Sequence, residues 1–157
     1  MAYSNTGDVF VTAGKDGSIR RFDLRSLEHS TIMFETADCD PLLRVRWNHL
    51  DPSYIATFGL NNNSVIILDI RVHTSPVAEL HFHKSVVNGI SWSQENSSVL
   101  ATCGDDGKCS IWDLSHSTAQ PECSFQSSFP VNNIEWGFSE SGVISMTTAA
   151  SLSIQKI

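Results

Sequence analysis

Two pairs of residues in this sequence have types and spacing that could support chemistry. His81 and His83 flank a single residue, and strand alternation would place both imidazoles on one face, as a metal-binding pair requires. No third ligand of suitable spacing lies nearby, so we expect no metal site. Asp105 and Asp106 resemble paired catalytic carboxylates, but Asp-Asp-Gly is also ordinary chemistry for a hairpin turn. Since no nucleophile-elbow, zinc-protease or phosphate-loop motif occurs either, we expect no catalysis and no cofactor.

Another set of polar residues has the spacing of an internal hydrogen-bonded chain. His83 precedes a strand-like segment, Thr102 lies in the next one, Asp106 lies in a Gly/Asp turn, and Trp112 lies in a third segment. A buried indole N–H needs an acceptor and a turn carboxylate needs donors, so these four side chains could satisfy one another. Their role would be structural. We expect Trp112→Phe to leave Asp106 short of a partner.

The segments that hold these residues repeat along the chain. Tryptophans that end equivalent first strands recur about every 45 residues, at Trp47, Trp92 and Trp136. A hydrophobic residue followed by Asp ends the third strands at a similar interval, as Phe22-Asp23, Leu68-Asp69 and Trp112-Asp113. A period of this length with several short strands is typical of the WD40 β-propeller.

We therefore predict an all-β fold, a partial WD40 propeller of about three and a half blades where complete propellers have 4–8. It spans residues 1–157 as one domain, with repeat units at approximately 1–35, 36–82, 83–127 and 128–157. The chain starts like the end of a first strand and stops on a third strand, so we expect it to be the C-terminal half of a larger propeller. A half-protein that self-associates through open blade edges is the alternative. Residues 60–64 hold one residue more than the equivalent turn of the third unit, which predicts a β-bulge.

Composition narrows the functional classes. Of the 157 residues, 41% are hydrophobic and 17% charged, which is enough apolar material for a sizeable core. The net charge of −7 argues against a general binder of phosphate backbones. The four cysteines lack any C-x-x-C spacing and predict reduced thiols in an intracellular compartment.

Several segments carry a more specific resemblance. Residues 17–35, 41–57, 65–80 and 86–92 resemble the small WD40 scaffold family of plant Transparent Testa Glabra and its animal DDB1-and-cullin-associated relatives. The stretch DLRSLEHST, at 23–31, is the most particular of them, and the closing residues 152–157 also resemble the end of that family. The resemblance implies a seven-bladed propeller of which this chain matches the last half. It implies a scaffold of the cytoplasm and nucleus that binds other proteins and does not catalyse reactions.

The partners that the resemblance implies fall into two groups. Plant members hold MYB and basic helix-loop-helix transcription factors together, and animal members bind DYRK- and HIPK-type kinases. The family is also counted among candidate substrate receptors of cullin-RING ubiquitin ligases, a role associated with a W-D-x-R motif that docks the ligase adaptor. Here Asp23 and Arg25, and again Asp69 and Arg71, keep the Asp and Arg of that motif without its tryptophan. An Asp and an Arg two residues apart can also simply pair with each other.

Arginines are concentrated in the first two units. They are Arg20, Arg21, Arg25, Arg44 and Arg46. Together they could form a basic patch for acidic peptides or, as a further alternative, for nucleic acid. Arg21 is unexpected in its own right, because strand alternation calls for an apolar side chain there; its stem could lie along the core edge, or it could contact a partner.

Overall fold

Residues 1–72, 75–137 and 142–157 are described by a computed structural model of the chain. Throughout these residues the regular secondary structure is β-strand, which confirms the all-β prediction. The strands form four antiparallel sheets, three of them with four strands and one with three. This architecture confirms the predicted partial WD40 propeller, in which each sheet is one blade. Nowhere in the described ranges is there a helix with the length and apolar character that crossing a membrane requires.

The strands follow one another in the same order in every blade. Blade 1 contains β1 (Ala2–Tyr3), β2 (Val9–Ala13), β3 (Ser18–Asp23) and β4 (Ser30–Glu35). Blade 2 contains β5 (Leu42–Trp47), β6 (Tyr54–Gly59), β7 (Ser64–Asp69) and β8 (Ala78–His81). Blade 3 contains β9 (Val87–Trp92), β10 (Val99–Gly104), β11 (Lys108–Asp113) and β12 (Cys123–Gln126). Blade 4 contains β13 (Val131–Trp136), β14 (Val143–Thr148) and β15 (Leu152–Lys156).

The connections alternate between the two ends of each blade, because neighbouring strands are antiparallel. We call one end the lower face; it carries the loops that join first to second strands and third to fourth strands. In blades 1 to 3 these loops are residues 4–8, 24–29, 48–53, 70–77, 93–98 and 114–122, of which 73–74 are outside the described residues. The opposite end, the upper face, carries the turns between second and third strands at residues 14–17, 60–63 and 105–107.

Two of the upper turns depend on glycine. Gly17 has a φ of 75° and Gly107 a φ of 73°, a left-handed conformation that side chains with a Cβ rarely adopt. A Cβ on Gly107 would lie 2.7 Å from the Ser127 carbonyl oxygen, so the turn also has no room for a side chain at this position. These turns close the hairpins β2–β3 and β10–β11, which are regular along their paired residues.

The third upper turn corrects one expectation. β6 and β7 pair without a register shift from Tyr54 opposite Asp69 to Thr57 opposite Ile66, so the predicted bulge is absent from this pairing. The additional residue is accommodated in the turn at 60–63. A register shift does occur in blade 2, but between β5 and β6, where Leu42 and Arg44 flank it. The sequence length of a hairpin does not say whether an extra residue widens the turn or bulges a strand.

The hydrophobic core lies between blades. Three clusters of buried side chains occupy the three seams that join blades 1 and 2, blades 2 and 3, and blades 3 and 4. Blade 2 shows the cause: Leu68 packs toward blade 1, whereas its strand neighbour Ile67 packs toward blade 3. Because successive side chains of a strand point to opposite faces, one blade supplies two seams.

Tryptophan and cysteine side chains lie in the seams between blades. The indole N–H of Trp92 donates to the Arg46 carbonyl oxygen of blade 2 at 3.2 Å, and that of Trp136 donates to the Ser91 carbonyl oxygen of blade 3 at 3.0 Å. Cys103 and Cys109 lie opposite each other on β10 and β11 and are buried free thiols. Burial raises the pKa of Cys109 to about 12 and also raises the pKa of Cys103.

Candidate protein-interaction face

The four polar residues singled out in blade 3 form one hydrogen-bonded chain inside the protein. His83 Nδ1 lies 3.0 Å from Asp106 Oδ1, and His83 Nε2 lies 2.8 Å from Thr102 Oγ1. The Trp112 indole N–H donates to the same Thr102 oxygen at 3.1 Å. His83, Thr102 and Trp112 are buried, so this chain ties strands β10 and β11 to the loop before β9.

The order of the side chains in this hydrogen-bonded chain differs from the expectation about Asp106. Trp112 donates to Thr102 and not to Asp106, so Trp112→Phe leaves the carboxylate with its donors, and the expectation that Asp106 would lose a partner is wrong. Asp106 accepts the backbone N–H groups of Lys84 at 2.9 Å and Lys108 at 3.1 Å as well as the His83 ring. Desolvation by burial works to raise the pKa of Asp106, but these three donors outweigh it, so the pKa is lowered from its ordinary value of 3.8.

The same chain does not form in blade 1, where Phe22 stands in place of tryptophan. Asp16 in the corresponding turn instead accepts from the Ser18 hydroxyl at 2.8 Å and from Arg20 Nη2 at 3.1 Å. The side-chain hydrogen bond from Ser18 is the main cause that lowers the pKa of Asp16. Phe22 stacks on Phe10 with ring centroids 5.0 Å apart.

On the lower face, two arginines are held in the same way on adjacent blades. Arg25 donates through Nε to Asp23 Oδ1 at 2.9 Å and through Nη2 to Asp23 Oδ2 at 2.6 Å. Arg71 makes the same two contacts with Asp69, at 2.9 Å and 2.6 Å. In both loops the backbone N–H of the arginine also donates to Oδ1 of the aspartate. The repeated Asp-x-Arg sequence thus produces a bidentate pair at the end of β3 and at the end of β7.

These pairs fix guanidinium groups that remain open to solvent. The side chains of Arg25 and Arg71 are 73% and 63% exposed, whereas those of Asp23 and Asp69 are 25% and 8% exposed. The side-chain hydrogen bonds from the arginines hold the pKa of both carboxyl groups below the ordinary value, and the carboxylates in turn raise the arginine pKa values. Each arginine uses two side-chain N–H donors internally and keeps roughly three of its five for a partner.

Blade 3 has serine where the other two blades have these arginines. Asp113 ends β11, and its Oδ1 accepts the Ser115 backbone N–H at 2.9 Å and the Ser115 hydroxyl at 2.6 Å. His116 Nδ1 lies 3.1 Å from Glu122 and 3.5 Å from Asp113. Asp113, His116 and Glu122 could approach a metal ion together, but they are largely exposed and already engage one another. The paired arginines are therefore confined to blades 1 and 2.

The arginines proposed as one basic patch lie in different parts of blades 1 and 2. Arg20 pairs with Asp16 near the upper face, whereas Arg25 lies beyond the other end of β3. Arg44 Nη1 donates to Asn133 Oδ1 at 2.9 Å, and Arg46 Nη2 pairs with Glu135 at 3.0 Å. Both of these bonds run from β5 to β13 and connect blade 2 to blade 4, which local sequence patterns could not indicate.

The two members of each sequence pair, His81 with His83 and Asp105 with Asp106, lie in different surroundings. His81 is exposed and its Nε2 lies 3.2 Å from Glu79, while His83 is buried in the internal chain. Asp105 accepts the Asn88 side-chain N–H at 2.6 Å, and Asp106 faces His83. Neither pair is therefore arranged as two groups acting on a common ligand.

Two grooves open between blades in the neighbourhood of the arginine pairs. The groove of about 410 Å³ between blades 2 and 3 is lined by Tyr54, Ile67, Val77, Trp92 and Leu114, among others. The groove of about 200 Å³ between blades 1 and 2 is lined by Ser4, Thr6, Val9, Arg21, Trp47 and Ile70, among others. The Arg71 guanidinium lies 5.9 Å from the Tyr54 ring centroid, which places it beside the larger groove. Neither groove could be predicted from the sequence, because each is formed by residues from two repeats.

Comparisons with known proteins agree with this architecture. The model of the WD domain, G-beta repeat, matches residues 1–23 and 74–113. The DDB1- and CUL4-associated factor 7 homolog of Dictyostelium discoideum is 44% identical over 160 residues, covering all of this chain and 49% of that protein. The WD repeat-containing protein YPL247C of Saccharomyces cerevisiae is 41% identical over 126 residues, covering 69% of this chain and 24% of that protein.

A more distant relative carries a similar name. The DDB1- and CUL4-associated factor 10 of Xenopus tropicalis is 30% identical over 118 residues, covering 75% of this chain and 25% of that protein. This chain spans about half the length of the first of these relatives and about a quarter of the other two. The repeat match, the four sheets and the similarity over the whole of this chain lead to one conclusion: the chain is built of WD40 repeats.

Proposed function

We propose that this chain is part of a non-catalytic scaffold that binds other proteins through its lower face, in transcription-factor or kinase complexes. The observation that carries the proposal is the pair of fixed, exposed guanidinium groups on adjacent blades, at Arg25 and Arg71. Arginine is enriched at the energetic centres of protein interfaces, and a side chain that is already oriented loses less freedom on binding. The nearby groove between blades 2 and 3 adds an apolar surface to this charged one.

A role as a substrate receptor of a cullin-RING ubiquitin ligase is the second candidate. Its support is the similarity to two proteins named as DDB1- and CUL4-associated factors. The Asp and Arg of the adaptor-docking motif are present in blades 1 and 2, but Phe22 and Leu68 stand where that motif has tryptophan. In this candidate the same two arginines contact the ligase adaptor.

The proposal predicts that Arg25 and Arg71 contribute more to partner binding than to folding. We expect the double substitution Arg25→Ala with Arg71→Ala to weaken binding by at least about 10-fold. The thermal unfolding midpoint should fall only slightly, because both arginine side chains are mostly exposed, although the largely buried Asp69 loses its ion-pair partner. The measurement is titration of the purified chain with purified MYB, basic helix-loop-helix and DYRK-type kinase domains, followed by calorimetry. A parallel titration with purified DDB1 tests the ubiquitin-ligase candidate.

The matched control is Arg20→Ala. Arg20 is also in an exposed ion pair with an aspartate of blade 1, but it lies near the upper face. It should leave every affinity unchanged. Equal weakening by the control, or unfolding of the double variant, contradicts the assignment. Light scattering on the same samples separates partner binding from self-association.

A further inference from the structure

Arg21 occupies a position that holds a buried aliphatic side chain in the next two blades. The third strands end with Arg21-Phe22-Asp23, Ile67-Leu68-Asp69 and Ile111-Trp112-Asp113. Ile67 is 1% exposed and Ile111 is 5% exposed, whereas Arg21 is only half-buried. The same blade geometry therefore places a cation in the seam between blades 1 and 2 where the neighbouring seams contain isoleucine.

The Arg21 guanidinium has no hydrogen-bond acceptor within residues 1–72, 75–137 and 142–157. The other arginines of the chain all have one: Arg20 with Asp16, Arg25 with Asp23, Arg44 with Asn133, Arg46 with Glu135 and Arg71 with Asp69. The positive charge of Arg21 helps to lower the pKa of the nearby Asp23, but both carboxylate oxygens of Asp23 are hydrogen-bonded to Arg25. Arg21 thus presents a cation with its donors unused by the described part of the chain.

The groove around Arg21 adds a further donor and an apolar wall. Ser4 Oγ and Thr6 Oγ1 lie 3.1 Å apart and line the groove together with Arg21. Their mutual hydrogen bond uses one hydroxyl hydrogen, so the other hydrogen can donate to a ligand. The Asn5 side chain bonds to the His49 backbone carbonyl of blade 2, which holds this loop against the next blade. Trp47 and Val9 form buried walls, and a less polar wall strengthens the attraction between opposite charges.

We propose that the groove between blades 1 and 2 binds the carboxylate of a Glu or Asp side chain from an extended segment of a partner protein. This inference rests on the proposed scaffold function and names the chemistry that the lower face recognises. A carboxylate can accept two parallel N–H bonds from one guanidinium and a third from a hydroxyl. The groove of about 200 Å³ has room for one side chain. A single cation on a chain of net charge −7 favours a monovalent carboxylate over a phosphate dianion or a nucleic-acid backbone.

The adjacent groove supplies an internal comparison. Ile67 lines the groove between blades 2 and 3 at the position equivalent to Arg21 in the smaller groove. A partner segment that crosses both grooves would therefore need an acidic side chain at the first and an apolar one at the second. The substitution Arg21→Ile converts the first groove to the chemistry of the second. It uses the residue that the same fold already accommodates in two blades, so we expect the variant to fold.

The experiment selects peptides from a displayed library of random decapeptides on the immobilised chain, wild type against Arg21→Ile. We expect the wild-type pool to enrich Glu or Asp at one fixed position and the Arg21→Ile pool to lack that enrichment. For a selected peptide, replacing this Glu with Gln should weaken binding to the wild type by about 10-fold, the loss of one charge-assisted contact. The same replacement should change binding to Arg21→Ile by less than about two-fold.

Two further measurements test the carboxylate assignment, one with a different cation at position 21 and one with a phosphoserine peptide. Arg21→Lys, which retains the charge but not the planar fork, should recover part of the preference for Glu over Gln. A phosphoserine peptide that binds more tightly than its Glu counterpart overturns the carboxylate assignment, as does an acidic preference that survives in Arg21→Ile or a library that yields no wild-type binder. If the Arg21 result fails while the Arg25 and Arg71 double variant still loses its partner, the proposed function stands without this inference. Failure of both overturns the two together.

Discussion

At the scale of single residues, the hydrogen-bonded chain of blade 3 continues without a gap. Asp106 accepts from His83 Nδ1, and His83 Nε2 lies 2.8 Å from the Thr102 hydroxyl oxygen. Thr102 in turn accepts the Trp112 indole N–H, so each of these four side chains has a partner. The sequence spacing identified the four members, because the repeat places them on predictable strands. It did not identify their order, because that depends on which side chains meet across the strands.

Trp112→Phe tests the indole contact. The variant removes the only N–H that the side chain donates and leaves the Thr102 oxygen one donor short, without disturbing the Asp106 donors. We expect the free energy of unfolding to fall by about 1–3 kcal/mol, measured by urea denaturation. Trp47→Phe is the control, since its indole donates to the carbonyl of exposed Pro52, where water can replace the lost donor. Equal losses in the two variants would show that the internal chain adds nothing beyond packing.

The lowered pKa of Asp106 makes the free energy of unfolding depend on pH in the acidic range. Its folded-state pKa is lowered below 3.8, so just below pH 4 the unfolded chain binds more protons at this carboxyl than the folded chain does. The stabilisation is therefore complete above that range and is lost as the pH falls through the folded pKa. We expect Asp106→Asn to unfold more easily at pH 7 and to lose less stability than wild type between pH 4 and about pH 2. The measurement is urea denaturation across that range.

Asp105→Asn is the comparison at pH 7, because it makes the same change of charge at the exposed neighbouring position. We expect it to unfold less easily than Asp106→Asn, since Asp105 accepts from one side chain while Asp106 accepts from His83 and two backbone N–H groups. Parallel pH profiles for wild type and Asp106→Asn would contradict the role given to the carboxylate.

At the scale of elements, alternation and turn residues predicted most strands and hairpins. The Gly/Asp turns at 14–17 and 105–107 occur where their sequences place them, because glycine supplies the left-handed φ that closes each hairpin. Two things could not be predicted. The location of the extra residue near Asn62 depends on how the turn packs, and the grooves at Arg21 and Ile67 need the relative position of two blades. The one visible signal was Arg21 itself, a charged residue on an apolar position of a strand.

The glycines of the hairpins allow strain and crowding to be measured separately. Gly7 and Gly107 have nearly equal φ values of 75° and 73°, but a Cβ on Gly7 meets nothing within 4 Å, whereas one on Gly107 lies 2.7 Å from a carbonyl oxygen. We expect Gly7→Ala to cost about 1–2 kcal/mol of the free energy of unfolding, the cost of a left-handed side chain, and Gly107→Ala to cost more. Urea denaturation of both variants supplies the comparison. Equal losses would mean that the turn at 105–107 relaxes freely.

At the scale of the whole molecule, the blades depend on one another. Each of the three core clusters is shared by two blades, and bonds from Arg44 and Arg46 connect β5 to β13 across the intervening blade. Blade 2 or blade 3, removed from its neighbours, would expose the apolar halves of two seams at once. A partner segment in the proposed groove at Arg21 would therefore contact side chains that also hold blades 1 and 2 together, such as Val9 and Trp47.

The buried thiols of blade 3 can report whether the cluster between blades 3 and 4 is open to reagents. Cys109 and Cys103 lie within the cluster that joins blades 3 and 4, and their raised pKa values keep them protonated at neutral pH. Since alkylating reagents react with the thiolate, exposed Cys39 is open to them in the folded chain while this pair is shielded twice, by access and by protonation. Modification of Cys103 or Cys109 therefore requires an opening of the structure that exposes this cluster, so the rate of alkylation reports how often the buried side chains between blades 3 and 4 become accessible.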